Sequence, residues 1–263
     1  MIAYEQPGTA LADLVRTIPP FQSLPPDEHW LLAHTGRVEH YRRGVPVFRA
    51  GGTATEVFAL LSGALKLVYC AESRLPFVVR ILAPLSLFGL DTITRDEHYS
   101  ATAEVLCSAS TMAWRGPTIV RMMHDHPQFA RDLLGIFTAR LNDFRTRYVE
   151  LATESVGTRL ARALLRLHDA WLAPQEGRPQ SGRVGRPWQA SDAPLDFPVS
   201  REELAHLVGT TIYTVSRTLQ RWERSGIVRC GRMRVTLLDA VALRAECGTG
   251  DHVDGAGQRP DVT

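Results

Sequence analysis

The chain has 263 residues, 44% of them hydrophobic, and a net charge of +2. That is enough apolar content for one or two packed domains, and it excludes a fibrous or wholly disordered protein. No segment approaches the roughly 18 apolar residues of a membrane span, and the opening MIAYEQPGTA has neither a basic region nor an apolar run, so a cytoplasmic protein without a membrane partner is expected.

In chain order, a short amphipathic helix is predicted around Ala10 to Ile18. From about Val38 to Trp114 follow strand signals separated by turns: VPVFRAGG, EVFALLSGALKLVY, PFVVRIL and SATAEVLCSASTMAW. Their alternation, with Gly44, Gly51, Gly52, Gly63 and Gly89 between them, predicts an antiparallel β-roll or barrel. A long helix begins near Pro127. Within it Leu134, Phe137, Leu141, Phe144, Tyr148 and Leu151 recur at steps of 3, 4, 3, 4 and 3, the seam of a two-stranded coiled coil, flanked by Arg140, Asn142, Asp143, Arg145 and Arg147. A parallel homodimer is the expected consequence. A second helical pattern from Glu154 to Trp171 presents Val156, Leu160, Leu164 and Leu167. The stretch from Ala173 to Pro194 is rich in Pro, Gly, Ser and Gln, and is expected to be a mobile loop.

Ser200 to Val228, SREELAHLVGTTIYTVSRTLQRWERSGIV, carries the most specific signal. Ser200 and Glu203 form a capping box, Leu204, Leu207 and Val208 share one face, and Gly209 stands where a left-handed residue ends a helix. Thr210 or Thr211 can cap the next helix, in which Val215, Leu219 and Trp222 point inward. Ile212, Tyr213, Ser216, Arg217, Gln220 and Arg221 face out, a polar surface suited to a DNA groove. GIVRCGRMRVTLL then reads as a hairpin wing. From Ser200 to Arg234 there are seven Arg against three Glu, a local net of +4 where phosphates would lie.

Four Cys (Cys70, Cys107, Cys230, Cys247) stand apart without a C-x-x-C pair, which argues against a disulfide framework or a structural zinc site and for small buried apolar side chains. Lys66 is the only Lys among 30 basic residues, a bias that reads as coding composition more than function. No Gly-rich phosphate loop, G-x-S-x-G elbow or H-E-x-x-H motif is present, so no enzyme is expected.

A β-roll, a long helix and a C-terminal winged helix-turn-helix, in that order, resemble the cyclic-AMP receptor/fumarate-nitrate regulator (CRP/FNR) superfamily of bacterial transcription factors over about Pro19 to Ala245. PPFQSLPPDEHWLLAHTGRVEHYRRGVPVFRAGG is similar to its opening, EVFALLSGALKLV to its glycine-turned hairpin, VGTRLARALLRL to the helix after its hinge, and ELAHLVGTTIYTVSRTLQRWERSGIV to its DNA-binding motif. The resemblance implies an α+β fold, with a cyclic-nucleotide-binding-like antiparallel β-roll in residues 1–123, a dimerisation helix in 124–153 and a winged helix-turn-helix in 154–247; the composition of 248–263 predicts a disordered tail. It also implies double-stranded DNA, a second copy of the chain and RNA polymerase as partners.

Family members that bind cyclic nucleotide carry a Glu one position after the cassette glycine and an Arg before a Ser/Thr-Ala pair. Here Gly89 is followed by Leu90, and Ser100-Ala101 is preceded by Tyr99. Without a cation to meet the phosphate, cyclic AMP and cyclic GMP are not expected to bind. FGLDTI is closer to the oxygen-sensing branch, but no Cys precedes Cys70, so an iron–sulfur cluster is not expected either. Haem is the remaining redox group, with His98, His124 and His126 as candidate axial ligands; no cofactor is expected overall. The candidate effector pocket comprises Leu90, Tyr99, Ser100, Phe144 and Arg145, its ligand unknown. Phe144 and Arg145 stand where nucleotide-binding relatives place small hydroxyl residues.

For DNA, the family's recognition helix supplies an Arg and a Glu near its start and an Arg one turn later. Arg217 retains the last, able to fork onto guanine, while Ile212 and Tyr213 replace the first two and suit a thymine methyl and a base edge or phosphate. Thr210, Thr211 and Ser216 suit phosphates at the helix start, and Arg201, Arg221, Arg232 and Arg234 the flanking backbone. A ligand-independent or haem-sensing regulator, or a dimeric adaptor that binds no DNA, are the alternatives.

Overall fold

The computed structural model describes residues 7–69, 77–94, 97–172 and 194–248. Apart from Pro194 and Gly248, the stretch expected to be a mobile loop and the tail expected to be disordered lie outside the described residues, as does Cys70. Helices α1 (Pro7–Thr17) and α2 (Pro26–Thr35) lead into strands β1 (Arg37–Tyr41), β2 (Pro46–Phe48), β3 (Glu56–Tyr69), β4 (Phe77–Leu82), β5 (Leu87–Phe88) and β6 (Thr102–Arg115). Then come α3 (Gly116–Asp125), α4 (Pro127–Thr153), α5 (Val156–Leu172), β7 (Leu195–Phe197), α6 (Arg201–Val208), α7 (Ile212–Arg224), β8 (Val228–Gly231), β9 (Arg234–Leu237) and α8 (Ala240–Ala245). The strands form a six-stranded antiparallel roll with the path β1-β6-β3-β4 and a three-stranded sheet ordered β7-β9-β8.

The roll is organised by a parity change in β3. Before Gly63, Val57, Ala59 and Leu61 face one side, where they meet Phe21, Leu32, Trp114, Phe129 and Leu133, while Phe58 and Leu60 face the roll's interior with Phe88 and Val105. The β3–β6 ladder then shifts register between Leu60 and Leu65, and each extra residue turns the following side chains over. After the shift Leu65 faces the interior, whereas Ala64 and Val68 face out toward the C-terminal helices. Gly63 makes the bend possible. Its φ is +85°, and a Cβ there would lie 2.4 Å from the Ser108 carbonyl oxygen.

Helix α4 continues what the roll began. Phe129 and Leu133 are buried against the roll, with Ile136 and Phe137 packed partly beside them. Phe137 thus departs from the exposed stripe expected there, because it packs partly on the roll. Farther along, Leu134 (64%), Leu141 (50%), Phe144 (63%), Tyr148 (68%) and Leu151 (52%) stand exposed, and Val149 joins them. The segment 124–153 expected as one dimerisation helix is not continuous. Residues up to Asp125 belong to α3, and His126 breaks the chain before Pro127 restarts it. Two arginine–carboxylate pairs fix α5 on α4: buried Glu150 accepts from Arg166 at 2.7 and 3.0 Å, and Glu154 accepts from Arg162 at 3.0 Å.

Candidate nucleic-acid interface and ligand pocket

The capping box forms as the spacing predicts: the Glu203 N–H donates to the Ser200 hydroxyl at 3.1 Å, and the Ser200 N–H donates to Glu203 Oε2 at 2.7 Å. Gly209 ends α6 in the left-handed region at φ +66°, and a Cβ there would sit 3.2 Å from Leu151 of α4. Thr211, not Thr210, caps α7, its hydroxyl accepting from the Thr214 N–H at 3.2 Å. Val215, Leu219 and Trp222 are buried, so the register of α7 on α6 is fixed by three apolar side chains on one stripe.

That packing leaves Ile212 (52%), Tyr213 (75%), Arg217, Gln220, Arg221 and Arg224 exposed, with Ser216 half-buried among them. Gln220 is exposed on this face and has the donor–acceptor pair that matches adenine, a role that outward periodicity alone does not assign. Arg217 has no hydrogen-bond or ion-pair partner among the described residues. Arg221 is engaged instead, donating to Glu246 at 2.9 Å; the same Glu246 oxygen accepts from Trp222 Nε1 at 2.8 Å. The wing is the β8–β9 hairpin, with exposed Arg232 and Met233 at its tip and Met233 at φ +57°. The Cys230 N–H donates to Glu223 at 2.8 Å and ties the wing to α7. Arg234 pairs with Asp196 of β7 at 3.3 Å, and Asp196 also accepts from the Thr236 hydroxyl. Strand β7 follows the Pro/Gly-rich stretch and carried too short a pattern to be predicted. Arg201 is half-buried, its guanidinium against the Cys230 thiol.

A cavity of about 250 Å³ opens between the roll and α4, with Asp91, Thr94, Ser100 and Arg140 as its polar residues. Leu90 and Ser100 line it as expected, but three expected members do not. Tyr99 is turned inward, stacked on Phe48 at a centroid distance of 3.9 Å with its hydroxyl donating to the Glu56 carbonyl at 3.0 Å. Phe144 and Arg145 are exposed on α4, four and five residues beyond Arg140, which at 1.5 Å per residue carries them about 6 and 7.5 Å along the helix from it. The helix instead contributes Phe137 and Arg140. Of the histidines, His126 bonds Glu28 at 3.1 Å, His124 bonds Asp125 at 3.0 Å, and exposed His98 bridges to Thr53. The described cysteines, Cys107, Cys230 and Cys247, are half-buried, and burial pushes each thiol's pKa up.

Family comparison matches residues 38–126 to the cyclic nucleotide-binding domain and residues 158–246 to the Crp-like helix-turn-helix domain. The chain belongs to the CRP/FNR superfamily. Transcriptional activator protein FnrA of Stutzerimonas stutzeri is 26% identical over 207 residues, 79% of each chain. Cyclic AMP receptor protein of Thermus thermophilus is 25% identical over 225 residues, 86% of this chain and 94% of the relative. The structure of FixK2 from Bradyrhizobium japonicum matches with a TM-score of 0.65 at 19% identity, covering 80% of this chain and 96% of that one, a likeness of fold. This CRP/FNR chain is therefore a transcription regulator with a helix-turn-helix.

In this CRP/FNR member the single lysine has a structural position that composition did not suggest. Lys66, outward on β3 after the parity change, donates to Glu203 at 3.1 Å and pairs with Glu104 at 3.1 Å, joining the roll to the first helix of the DNA-binding motif. Apolar contacts surround it: Ala64, Val68, Val78, Ile81 and Leu106 of the roll share one cluster with Leu204, Ala205 and Val208 of α6. Burial lowers the Lys66 pKa, but its hydrogen bonds and attraction to the two carboxylates outweigh this and hold it above the usual 10.5. Its contribution is therefore complete below the unfolded pKa of 10.5 and lost as pH rises through the higher folded value. Lys66→Met leaves Glu203, 7% exposed, facing Glu104 without a cation, and is expected to cost about 2–4 kcal/mol in urea unfolding at pH 7. An unchanged midpoint would show that the bridge is idle.

Proposed function

We propose that the chain acts as a homodimer that reads a near-palindromic site in double-stranded DNA, without control by cyclic nucleotide or an iron–sulfur cluster. One observation carries this reading: Arg217 stands outward on α7 with no partner among the described residues, while its neighbours Arg221 and Arg234 are held in ion pairs. An uncommitted guanidinium on the second helix of the motif is ready to fork onto guanine O6 and N7. Ile212, Tyr213 and Gln220 supply the remaining base contacts, Thr210, Thr211 and Ser216 the phosphate contacts at the start of α7, and Arg232 a backbone contact from the wing. Arg201, Arg221 and Arg234 orient the motif through their internal partners and meet phosphates with the donors that remain. Two such motifs about a two-fold axis, with α4 seams paired, place their recognition helices roughly 34 Å apart. Cytoplasmic action together with RNA polymerase follows from the same reading.

Selection of bound sequences from random duplex DNA by the purified protein is the direct test. An enriched two-fold symmetric motif with guanine in each half-site is expected; recovery of no motif would favour a dimeric adaptor. For the effector, neither Leu90 nor Tyr99 offers a charge to a cyclic phosphate, Tyr99 is closed off against Phe48, Arg140 is tied to the Leu87 carbonyl at 2.6 Å, and a cavity of about 250 Å³ is below the size that encloses a nucleotide. Cyclic AMP or cyclic GMP at micromolar concentration is accordingly expected to move the melting temperature by less than about 1 °C, because a ligand with negligible affinity adds nothing to stability. A shift of several degrees would refute this.

A further inference from the structure

The DNA-binding part of the chain follows α4 through Glu154 and Ser155, the two residues that lie between α4 and α5. A hinge this short lets a domain swing unless other contacts hold it. Here four cations do so. Arg159, in the first turn of α5, donates through Nη1 to the Glu154 carbonyl at 2.9 Å and through Nε to the Val208 carbonyl at 3.2 Å, so one guanidinium ties the hinge to the end of α6. Arg162 and Arg166 follow at helical spacing on the same face of α5 and reach Glu154 at the hinge and Glu150 one turn before it. Lys66 closes the far side, from β3 to Glu203. Because Glu203 also accepts from the Ser200 N–H at 2.7 Å, the side chain that fixes α6 to the roll is the one that caps the helix.

Apolar contacts join the same parts: Leu151 of α4 stands beside Gly209, at the turn between α6 and α7, and the roll shares one buried cluster with α6. The recognition face stays open while the domain is held, with Ile212, Tyr213, Arg217 and Gln220 all exposed. An effector raises DNA affinity only to the extent that the free protein populates some other orientation; where the reading orientation is already the populated one, it has nothing to add. We propose that Lys66, Arg159, Arg162 and Arg166 form a clamp that pre-sets the DNA-binding domain, so that the dimer reads its operator as made, with no small molecule required. The proposal rests on the homodimer and near-palindromic site inferred above. Failure to select any operator counts against that reading, whereas an operator bound regardless of the clamp counts against the clamp alone.

The test uses full-length protein, exhaustively dialysed, and the selected operator in three forms: both half-sites at the selected spacing, both with two base pairs inserted between them, and a single half-site. Adding back a deproteinised extract of the producing cells should change affinity for the intact operator by less than about 3-fold, since a fully populated orientation leaves an effector nothing to shift. The insertion turns one half-site by about 70° relative to the other, and a clamped pair of motifs cannot follow, so a penalty of about 100-fold or more is expected. Arg159→Gln should weaken binding to the intact operator by about 10-fold or more and shrink the insertion penalty to about 10-fold or less, because a swinging domain meets either spacing at lower effective concentration. Its affinity for the single half-site should stay within about 3-fold, because one motif needs no partner orientation. The proposal is overturned if the extract raises affinity further than that, if the insertion penalty is the same in the variant, or if single and paired half-sites weaken together. Should Arg159→Gln fail to fold, Glu203→Gln, which keeps the capping acceptor and removes the charge facing Lys66, decides by the same ratios.

Discussion

Arg217→Ala is expected to abolish the specific DNA complex while leaving weak, salt-sensitive binding. A bidentate Arg–guanine contact discriminates by about 1–3 kcal/mol, and a homodimer makes it twice, so the selected operator should be bound roughly 30- to 10⁴-fold more weakly. Non-specific affinity is a separate quantity, set by phosphate contacts and falling steeply with salt. It should change little, because the phosphate-facing threonines and Arg232 remain. The substitution is also structurally quiet: Arg217 is exposed and unpartnered among the described residues, so thermal stability should stay within about 0.5 kcal/mol. Titrations of operator and of scrambled DNA at two salt concentrations separate these terms. If site preference is unchanged, Arg217 is not the base reader. Arg221→Ala makes an informative contrast, since it breaks a bond to the Glu246 oxygen that also holds Trp222, and should therefore cost stability as well as affinity.

Phe144→Asp is expected to turn the protein into a monomer. The side chain is 63% exposed in the single chain, on a face that also carries Leu134, Leu141, Tyr148 and Leu151, and a monomer gains nothing from displaying such a stripe. In a two-fold symmetric seam, residues near the axis meet their own copies, so the substitution replaces a phenyl–phenyl contact with two facing carboxylates. Sedimentation velocity should show loss of the dimer at micromolar protein. Affinity for a two-half-site operator should drop by about 10²- to 10⁴-fold, because the second half-site is no longer bound at millimolar effective concentration. Phe144→Leu keeps the apolar seam and should keep the dimer. A Phe144→Asp protein that still sediments as a dimer would move the interface elsewhere on the molecule.

The parts of the fold that were legible in the sequence are those written in short-range periodicity. The Ser200–Glu203 capping box, the Gly209 stop and the Val215–Leu219–Trp222 stripe each involve residues within about four positions of one another, the range over which a helix makes its own contacts. Trp222 could be placed inward by spacing alone. The exposed apolar stripe on α4 was legible for the same reason, except at Phe137, which packs partly on the roll, because periodicity does not say which neighbour a side chain will choose. The cavity was half legible: Leu90 and Ser100 follow from the family resemblance, but the helix residues that close the pocket depend on how far along α4 the roll reaches.

What the sequence by itself determined is the order of β-roll, long helix and winged helix-turn-helix, and the inward and outward faces of α7. Tertiary structure alone decided how the charges are spent. Arg221 meets Glu246 across 25 residues, Arg234 meets Asp196 across 38, and Lys66 meets Glu203 across 137, so that formal charge near the DNA motif overstates the cations free to meet phosphate. That Arg217 is among the cations left free for DNA emerges only by this subtraction. The physical reason is that helix and strand patterns follow from local geometry, whereas a salt bridge or a pocket requires chain segments whose separation in sequence carries no trace of their distance in space.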